Sequence, residues 1–361
     1  MSINFGTTVS LKQAANLITN SPELRYFLQG EPGIGKSSIM KLIGNSKPDH
    51  IKSYMDCSQL DLGDIAMPYV DKEQGITTYY PNGRFGMHTQ EPVLMMLDEF
   101  TKAAEPVKNM LHPLLESSNP RLGDTSVHPE SIIFLTGNLS SDGVGDVLKA
   151  HTRNRIIPLH VRKPSSDEWL EWAVNNDIEP VVMSWVHQFP HALASYTDEG
   201  QDTNPYIFNP KKVQTAFVSP RSLERASHVL RVRGLLKDKD GNTDQEALIA
   251  ALTGAIGEAG ARDMQAYVEY QDQLPTWDSI IKSPESATVP DSVGACAVLV
   301  FGAITKVDKN NMPMFMKYLE RFAPEWQACF AINIAKNPQK QSVAFSSSAF
   351  ADWVQKNEDL L

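Results

Sequence analysis

Gly30-Glu31-Pro32-Gly33-Ile34-Gly35-Lys36-Ser37 decides how this chain of 361 residues is read. The stretch fits G-x-x-x-x-G-K-[ST], a loop that binds phosphate. Its glycines let successive backbone N–H groups turn inward around an anion. Lys36 reaches the outer phosphates of a nucleotide, and the Ser37 hydroxyl is a ligand type for Mg²⁺. A helix starting at the loop adds the positive end of its dipole. The candidate nucleotide contacts run through Gly30, Glu31, Pro32, Gly33, Ile34, Gly35, Lys36, Ser37 and Ser38. The flanks agree with the loop. Leu24 to Gln29 is a short apolar and aromatic run suited to a strand, and Ser37 to Ile43 sets Ile39, Leu42 and Ile43 at helical spacing.

Outward from the loop, residues 9–20 read as an amphipathic helix capped by Ser10. Residues 51–56 read as a strand, and Gly75 to Gly86 as a hairpin or loop insertion. Val93-Leu94-Met95-Met96-Leu97 and Ser131-Ile132-Ile133-Phe134-Leu135-Thr136 are apolar without alternation, the mark of parallel strands covered on both faces. Residues 103–117 carry Val107, Met110, Leu111, Leu114 and Leu115 on one helical face, and Arg155 to Val161 reads as a last strand. Strands alternating with helices predict a parallel α/β sheet. After Pro164 the pattern turns helical, beginning with a capped helix from Ser165 to Asn175 and broken by polar residues 236–244 and 283–290. Val293 to Ile304 reads as a buried helix, too short to span a bilayer.

The second apolar strand ends in Asp98-Glu99. Beside a phosphate loop, an aspartate at a strand end orders Mg²⁺, and the carboxylate after it can activate a water. Gly137-Asn138 ends the next strand, where an amide can hold the attacking water or touch the terminal phosphate, or can simply make a turn.

Composition limits the alternatives. Hydrophobic residues make up 42% and charged residues 21%, ordinary for a globular protein, and no run of 18 apolar residues predicts membrane insertion. Cys57, Cys296 and Cys329 are scattered without metal or disulfide spacing, and the N-terminus lacks the features of a signal peptide, so the expected compartment is the cytoplasm. The histidines show no ligand spacing. A net charge of −10 argues against a protein built mainly to grip nucleic acid. Arg221, Arg225, Arg231 and Arg233 cluster, and a solvated helix face explains them more simply than a nucleic-acid patch.

The order of these parts resembles a family. G-E-P-G-I-G-K-S (30–37), V-L-M-M-L-D-E (93–99), I-I-F-L-T-G-N (132–138), H-T-R-N-R (151–155) and S-P-R-S-L-E (219–224) resemble the successive motifs of AAA+ ATPases. The MoxR and dynein-related subfamily is the most similar, on Asp61-Leu62-Gly63, on Leu114-Leu115-Glu116 after Asp98-Glu99-Phe100, and on Ala251-Leu252-Thr253-Gly254. The likeness spans about residues 1–265. It implies a P-loop αβα core over 1–163, an α-helical lid over 164–285 and a helical extension over 286–361. It implies ATP and Mg²⁺ as cofactors, with Lys36, Ser37 and Asp98 on phosphate and metal and Glu99 activating water. Asn138 becomes a first sensor, Arg155 an arginine finger with Arg153 as its rival, and Arg221 a second sensor. Asn154-Arg155-Ile156 stands where MoxR proteins usually have D-R-F. The resemblance further implies a homo-hexameric ring that remodels or matures a protein client, with a von Willebrand factor A-type adaptor as a partner. An AAA+ motor or loader on nucleic acid is the alternative, and a monomeric kinase or a scaffold without catalysis are the other readings of the loop. Tyr79, Tyr80 and Phe85 either pack the insertion onto the core or grip a polypeptide.

Overall fold

The computed structural model describes residues 7–139 and 148–360. The chain divides into two compact units, 1–163 and 164–361.

The first unit contains, in chain order, α1 (Leu11–Asn20), β1 (Tyr26–Gln29), α2 (Ile39–Ser46), β2 (Ile51–Asp56), β3 (Ala66–Asp71), β4 (Ile76–Pro81), β5 (Val93–Asp98), α3 (Glu105–Leu111), β6 (Arg121–Leu122), β7 (Thr125–Ser126), β8 (Ile132–Gly137), α4 (Ala150–Arg153) and β9 (Ile157–His160). Five strands form one parallel sheet in the order β2-β5-β8-β1-β9. Alternate residues feed two cores. Met95, Leu97, Ile133 and Leu135 pack with Val107 and Leu111 of α3. Leu94, Met96, Ile132 and Phe134 pack with α1 and α2 through Ala14, Ile18, Ile39 and Ile43. Apolar runs without alternation are what a sheet covered on both faces requires.

Local chemistry sets the ends of the elements. Ser10 caps α1 in a reciprocal box with Gln13. The helix expected over 103–117 is shorter: α3 stops at Leu111, and residues 112–115 tighten into a 3₁₀ turn where Pro113 removes a backbone donor. The helix after the phosphate loop likewise opens with a 3₁₀ turn, Lys36–Ser38, and Leu42 faces solvent rather than the core.

The insertion is an antiparallel hairpin, β3 with β4, and β6 with β7 make a second small one. Phe85 is buried, so it does pack the core. Tyr79 and Tyr80 do not: both are about half exposed, as are Met67, Tyr69 and Ile76.

The second unit is helical: α5 (Ser166–Val174), α6 (Pro180–Gln188), α7 (Pro220–Arg231), α8 (Gln245–Gln273), α9 (Trp277–Lys282), α10 (Val293–Lys306), α11 (Met312–Leu319), α12 (Pro324–Ala335), α13 (Gln341–Phe345) and α14 (Ser348–Lys356). Ser165 and Glu168 box the start of α5. One apolar core runs from Trp169 to Trp353, so residues 286–361 pack into the same core as 164–285. Every residue from Gly294 to Ile304 is buried, which an apolar helix without a polar face demands. α8 is kinked at Gly257, whose φ of 82° and closeness to Ala216 O suit glycine alone. Among the described residues no helix is long and apolar enough to cross a membrane.

Candidate active site

The C-terminal ends of β5, β8 and β1 are neighbours in the sheet and deliver three of the sequence motifs to one edge, where ligands of parallel α/β sheets gather. β1 runs directly into the phosphate loop. Gly33 and Gly35 hold positive φ values of 77° and 101°. A Cβ on Gly30 would lie 2.5 Å from Ile34 and 2.6 Å from the Val161 carbonyl oxygen, so the loop's first position has no room for a side chain. Lys36 is 8% exposed. Its Nζ donates to the carbonyls of Gly30 at 2.6 Å and Glu31 at 2.9 Å, which ties the loop around its own lysine.

The same Nζ donates to Asn138 Oδ1 at 3.1 Å. The Asn138 Nδ2 group in turn donates to both carboxylate oxygens of Glu99, at 3.3 and 3.4 Å. Lys36, Asn138 and Glu99 therefore form one line across three motifs far apart in sequence. The amide orientation is the only one that serves a lysine on one side and a carboxylate on the other. Glu99 also pairs with Lys102 Nζ at 3.0 Å. Its backbone is left-handed, φ 50° and ψ 36°, a conformation that costs an ordinary residue about 1–2 kcal/mol. Strain of this kind gathers at sites where a side chain must be aimed.

Asp98 is held from two sides. The Thr136 hydroxyl bonds its Oδ1, and the Tyr54 hydroxyl donates to its Oδ2 at 2.7 Å. β2 and β8 flank β5, so Tyr54 and Thr136 reach the carboxylate from opposite neighbours. Neither was singled out from sequence. Thr136 was visible as the polar end of an apolar strand, but Tyr54 gave no signal because strand pairing is not written in local pattern. Cys57, next to this carboxylate, is buried, and burial together with Asp56 and Asp98 pushes its thiol far up, so it is no nucleophile.

Ser37 and Ser38 follow Lys36 in the 3₁₀ turn that opens toward α2. The donor set fits a nucleotide with its divalent cation: a hydroxyl at Ser37, a carboxylate at Asp98 and a buried ammonium at Lys36. A cation of the Mg²⁺ type needs only one or two protein ligands when phosphate oxygens complete its shell.

Arg155 is not part of this cluster. It precedes β9, whose first residue Ile157 lies beside Tyr26 at the start of β1. Val161, past the other end of β9, touches Gly30. Five steps of extended chain, from Ile156 to Val161, separate the turn that carries Arg155 from that level, about 17 Å at 3.3 Å per residue. Arg155 thus stands on the sheet edge opposite Lys36 and cannot reach the phosphate loop of its own chain. Its Nε donates to Glu116 Oε1 at 2.7 Å and its Nη1 to the His151 carbonyl at 3.1 Å. Arg153 is exposed. Arg221 lies in the second unit, exposed in the first turn of α7 behind Pro220, where a cation opposes the helix dipole. Of its cluster, Arg225 is exposed, while Arg231 pairs with Asp177 and Glu179, and Arg233 with Asp272. Among the described residues no group of three or more His, Cys, Asp or Glu is placed to hold a metal ion.

No family model matches this chain, and no curated protein matches it. Among solved structures it is similar to a candidate ATPase of Cytophaga hutchinsonii, at 14% identity over 70% of this chain and 82% of that one, with a TM-score of 0.33. NtrX of Brucella abortus in complex with ADP is 13% identical over 98% of this chain and 69% of that one, with a TM-score of 0.40. NtrX without a named ligand is 14% identical over 83% and 69%, with a TM-score of 0.38. Likeness this loose leaves the chemistry to be read from the chain's own residues.

Proposed function

We propose that this chain is an ATP-hydrolysing motor of the AAA+ type that acts as a ring. The observation that carries the reading is the line Lys36–Asn138–Glu99 on one edge of the sheet, with Arg155 on the other. Lys36 and the loop N–H groups bind the outer phosphates. Ser37 and Asp98 would hold Mg²⁺, which neutralises charge on the phosphates. Glu99 is the base: it takes a proton from a water that Asn138 helps to orient. Asn138 also links base and phosphate-binding lysine, so the two respond together when the terminal phosphate leaves.

A cation placed on the opposite edge from its own site is available to a neighbour's. In a head-to-tail ring each Arg155 enters the next subunit's site, and such a finger is worth about 10³–10⁵ in rate. A closed homo-hexamer is the ring the family resemblance supports. Arg221 as a second phosphate sensor, a helical lid over 164–285 and an extension over 286–361 belong to the same proposal. The work done is the remodelling of a protein client, with a von Willebrand factor A-type adaptor as the expected intermediary. The formal charge of −10 supports a polypeptide over a nucleic acid, and the exposed tyrosines of the β3–β4 hairpin are a surface that could grip it.

The test is ATP hydrolysis per subunit against protein concentration, with R155A and E99Q alongside. The specific rate should rise with concentration and both variants should abolish it. A rate independent of concentration, with R155A at full activity, overturns the ring. Stimulation by DNA rather than by polypeptide would transfer the motor to nucleic acid.

A further inference from the structure

Arg155 is not a free surface side chain. Two acceptors hold it from the stem side, Glu116 Oε1 at Nε and the His151 carbonyl at Nη1. A guanidinium has five N–H donors. Two are engaged by these contacts, which leaves the outward edge, one N–H of Nη1 and both of Nη2, for a ligand. That edge is the one that binds two oxygens of a phosphate at once.

Glu116 is itself firmly placed. It follows the 3₁₀ turn His112–Leu115, and Leu114 and Leu115 in that turn are fully buried. The turn is pinned again by Arg25, which is 3% exposed and donates from Nε to the Leu114 carbonyl at 2.9 Å. Arg25, Glu116 and Arg155 share the wall of one cleft of about 340 Å³ at the N-terminal edge of the sheet. Core packing thus fixes the backbone that leads into Glu116, and the Glu116 carboxylate holds the Arg155 Nε.

The geometry points to Glu116 as the positioning residue of the arginine finger: it holds Arg155 extended so that a neighbouring subunit's site meets an ordered, outward-facing guanidinium edge. This rests on the ring reading above. An unpaired arginine samples many rotamers, and a finger that must be found among them by each incoming site is slow to engage. The pairing does not consume the finger, because it uses the donors nearest the stem. The role belongs to this chain's Glu116 and touches no nucleotide of its own subunit.

The experiment measures ATP turnover of E116A, E116Q and R155A in the full chain, with nucleotide affinity read from a fluorescent ATP analogue. E116A should lose about 10- to 100-fold in kcat, the cost of a misplaced reacting group, with KM and analogue affinity unchanged. E116Q keeps an acceptor at the same place and should retain more activity than E116A. Mixing separates positioning from damage. E99Q subunits are inactive but carry a native finger, so an equal mixture with E116A should hydrolyse faster than either alone. E116A at wild-type rate, with R155A inactive, overturns the proposal and leaves the ring standing. E116A inactive, unable to bind the analogue and not rescued by E99Q makes Glu116 a structural residue and also overturns it. R155A at full activity removes the ring reading itself, a separate result from either.

Discussion

The Tyr54 hydroxyl donates to Asp98 Oδ2 at 2.7 Å, from the strand next to the one that carries the aspartate. With Thr136 on the other oxygen, both sides of the carboxylate are fixed before any ligand arrives. Tyr54→Phe removes one of these bonds and leaves the half-exposed ring. A hydrogen bond to a charged group contributes about 1.5–3 kcal/mol, and part of it is recovered from water at this exposure. The Mg²⁺ concentration for half-maximal binding of a fluorescent ATP analogue should rise about 3- to 10-fold, with the melting temperature nearly unchanged. An unaltered Mg²⁺ midpoint sinks the role given to Tyr54.

Lys36→Ala should abolish binding of the same analogue, because it removes the buried ammonium that the proposal sets against the phosphates. It also leaves the Gly30 and Glu31 carbonyls without their donor, at a cost of about 1–3 kcal/mol to the fold. Calorimetric binding and urea unfolding read the two effects separately. A K36A protein that binds ATP normally would refute the loop assignment.

Glu99 is expected to separate binding from chemistry. Glu99→Gln keeps an acceptor near Asn138 but cannot take a proton, so binding should persist while turnover falls by 10²-fold or more. Glu99→Gly should also be inactive, and it relieves a left-handed backbone, which raises stability by about 1 kcal/mol if the lost Lys102 pair is weak. Turnover of E99Q near wild type assigns the base elsewhere.

Low pH should weaken the first unit. Burial holds His112 below the usual imidazole range, helped by Arg155 and His151 and opposed by Glu116, and burial does the same to His160. The folded state then refuses protons that the unfolded chain accepts near pH 6.5. The folded value is depressed, so stability is intact above about 6.5 and is lost as pH falls from there toward the folded values. Urea midpoints at pH 7.5, 6.5 and 5.5 should fall in that order, and His112→Phe should flatten part of the slope. A midpoint that is level down to pH 5.5 contradicts this.

Much of the fold was legible from local pattern. The bounds of β2, β5 and β8 agree with the apolar runs to within about a residue, and the caps at Ser10 and Ser165 form as reciprocal boxes. Pro113 inside the expected 103–117 helix is the local signal for its early end. The insertion expected over 75–86 covers only the second strand of the hairpin, whose first strand is Ala66–Asp71, and of its aromatic residues Phe85 packs while Tyr79 and Tyr80 are about half exposed.

The chain by itself determined the parts: the phosphate loop from its glycines and Lys36, the acidic strand end at Asp98-Glu99, and a sheet covered on both faces, since unbroken apolar strands tolerate water on neither side. Only the tertiary structure decided their relations. Local pattern leaves Asn138 as a turn residue or a phosphate contact; strand order, with β8 between β5 and β1, sets its amide between Glu99 and Lys36. Tyr54 and Glu116 likewise meet partners distant in sequence, Asp98 and Arg155. Strand pairing and register join residues tens of positions apart, and no local periodicity encodes which strand lies next to which. That is also why Arg155, six residues from the chain's contact with Gly30, stands on the far edge of the sheet from Lys36.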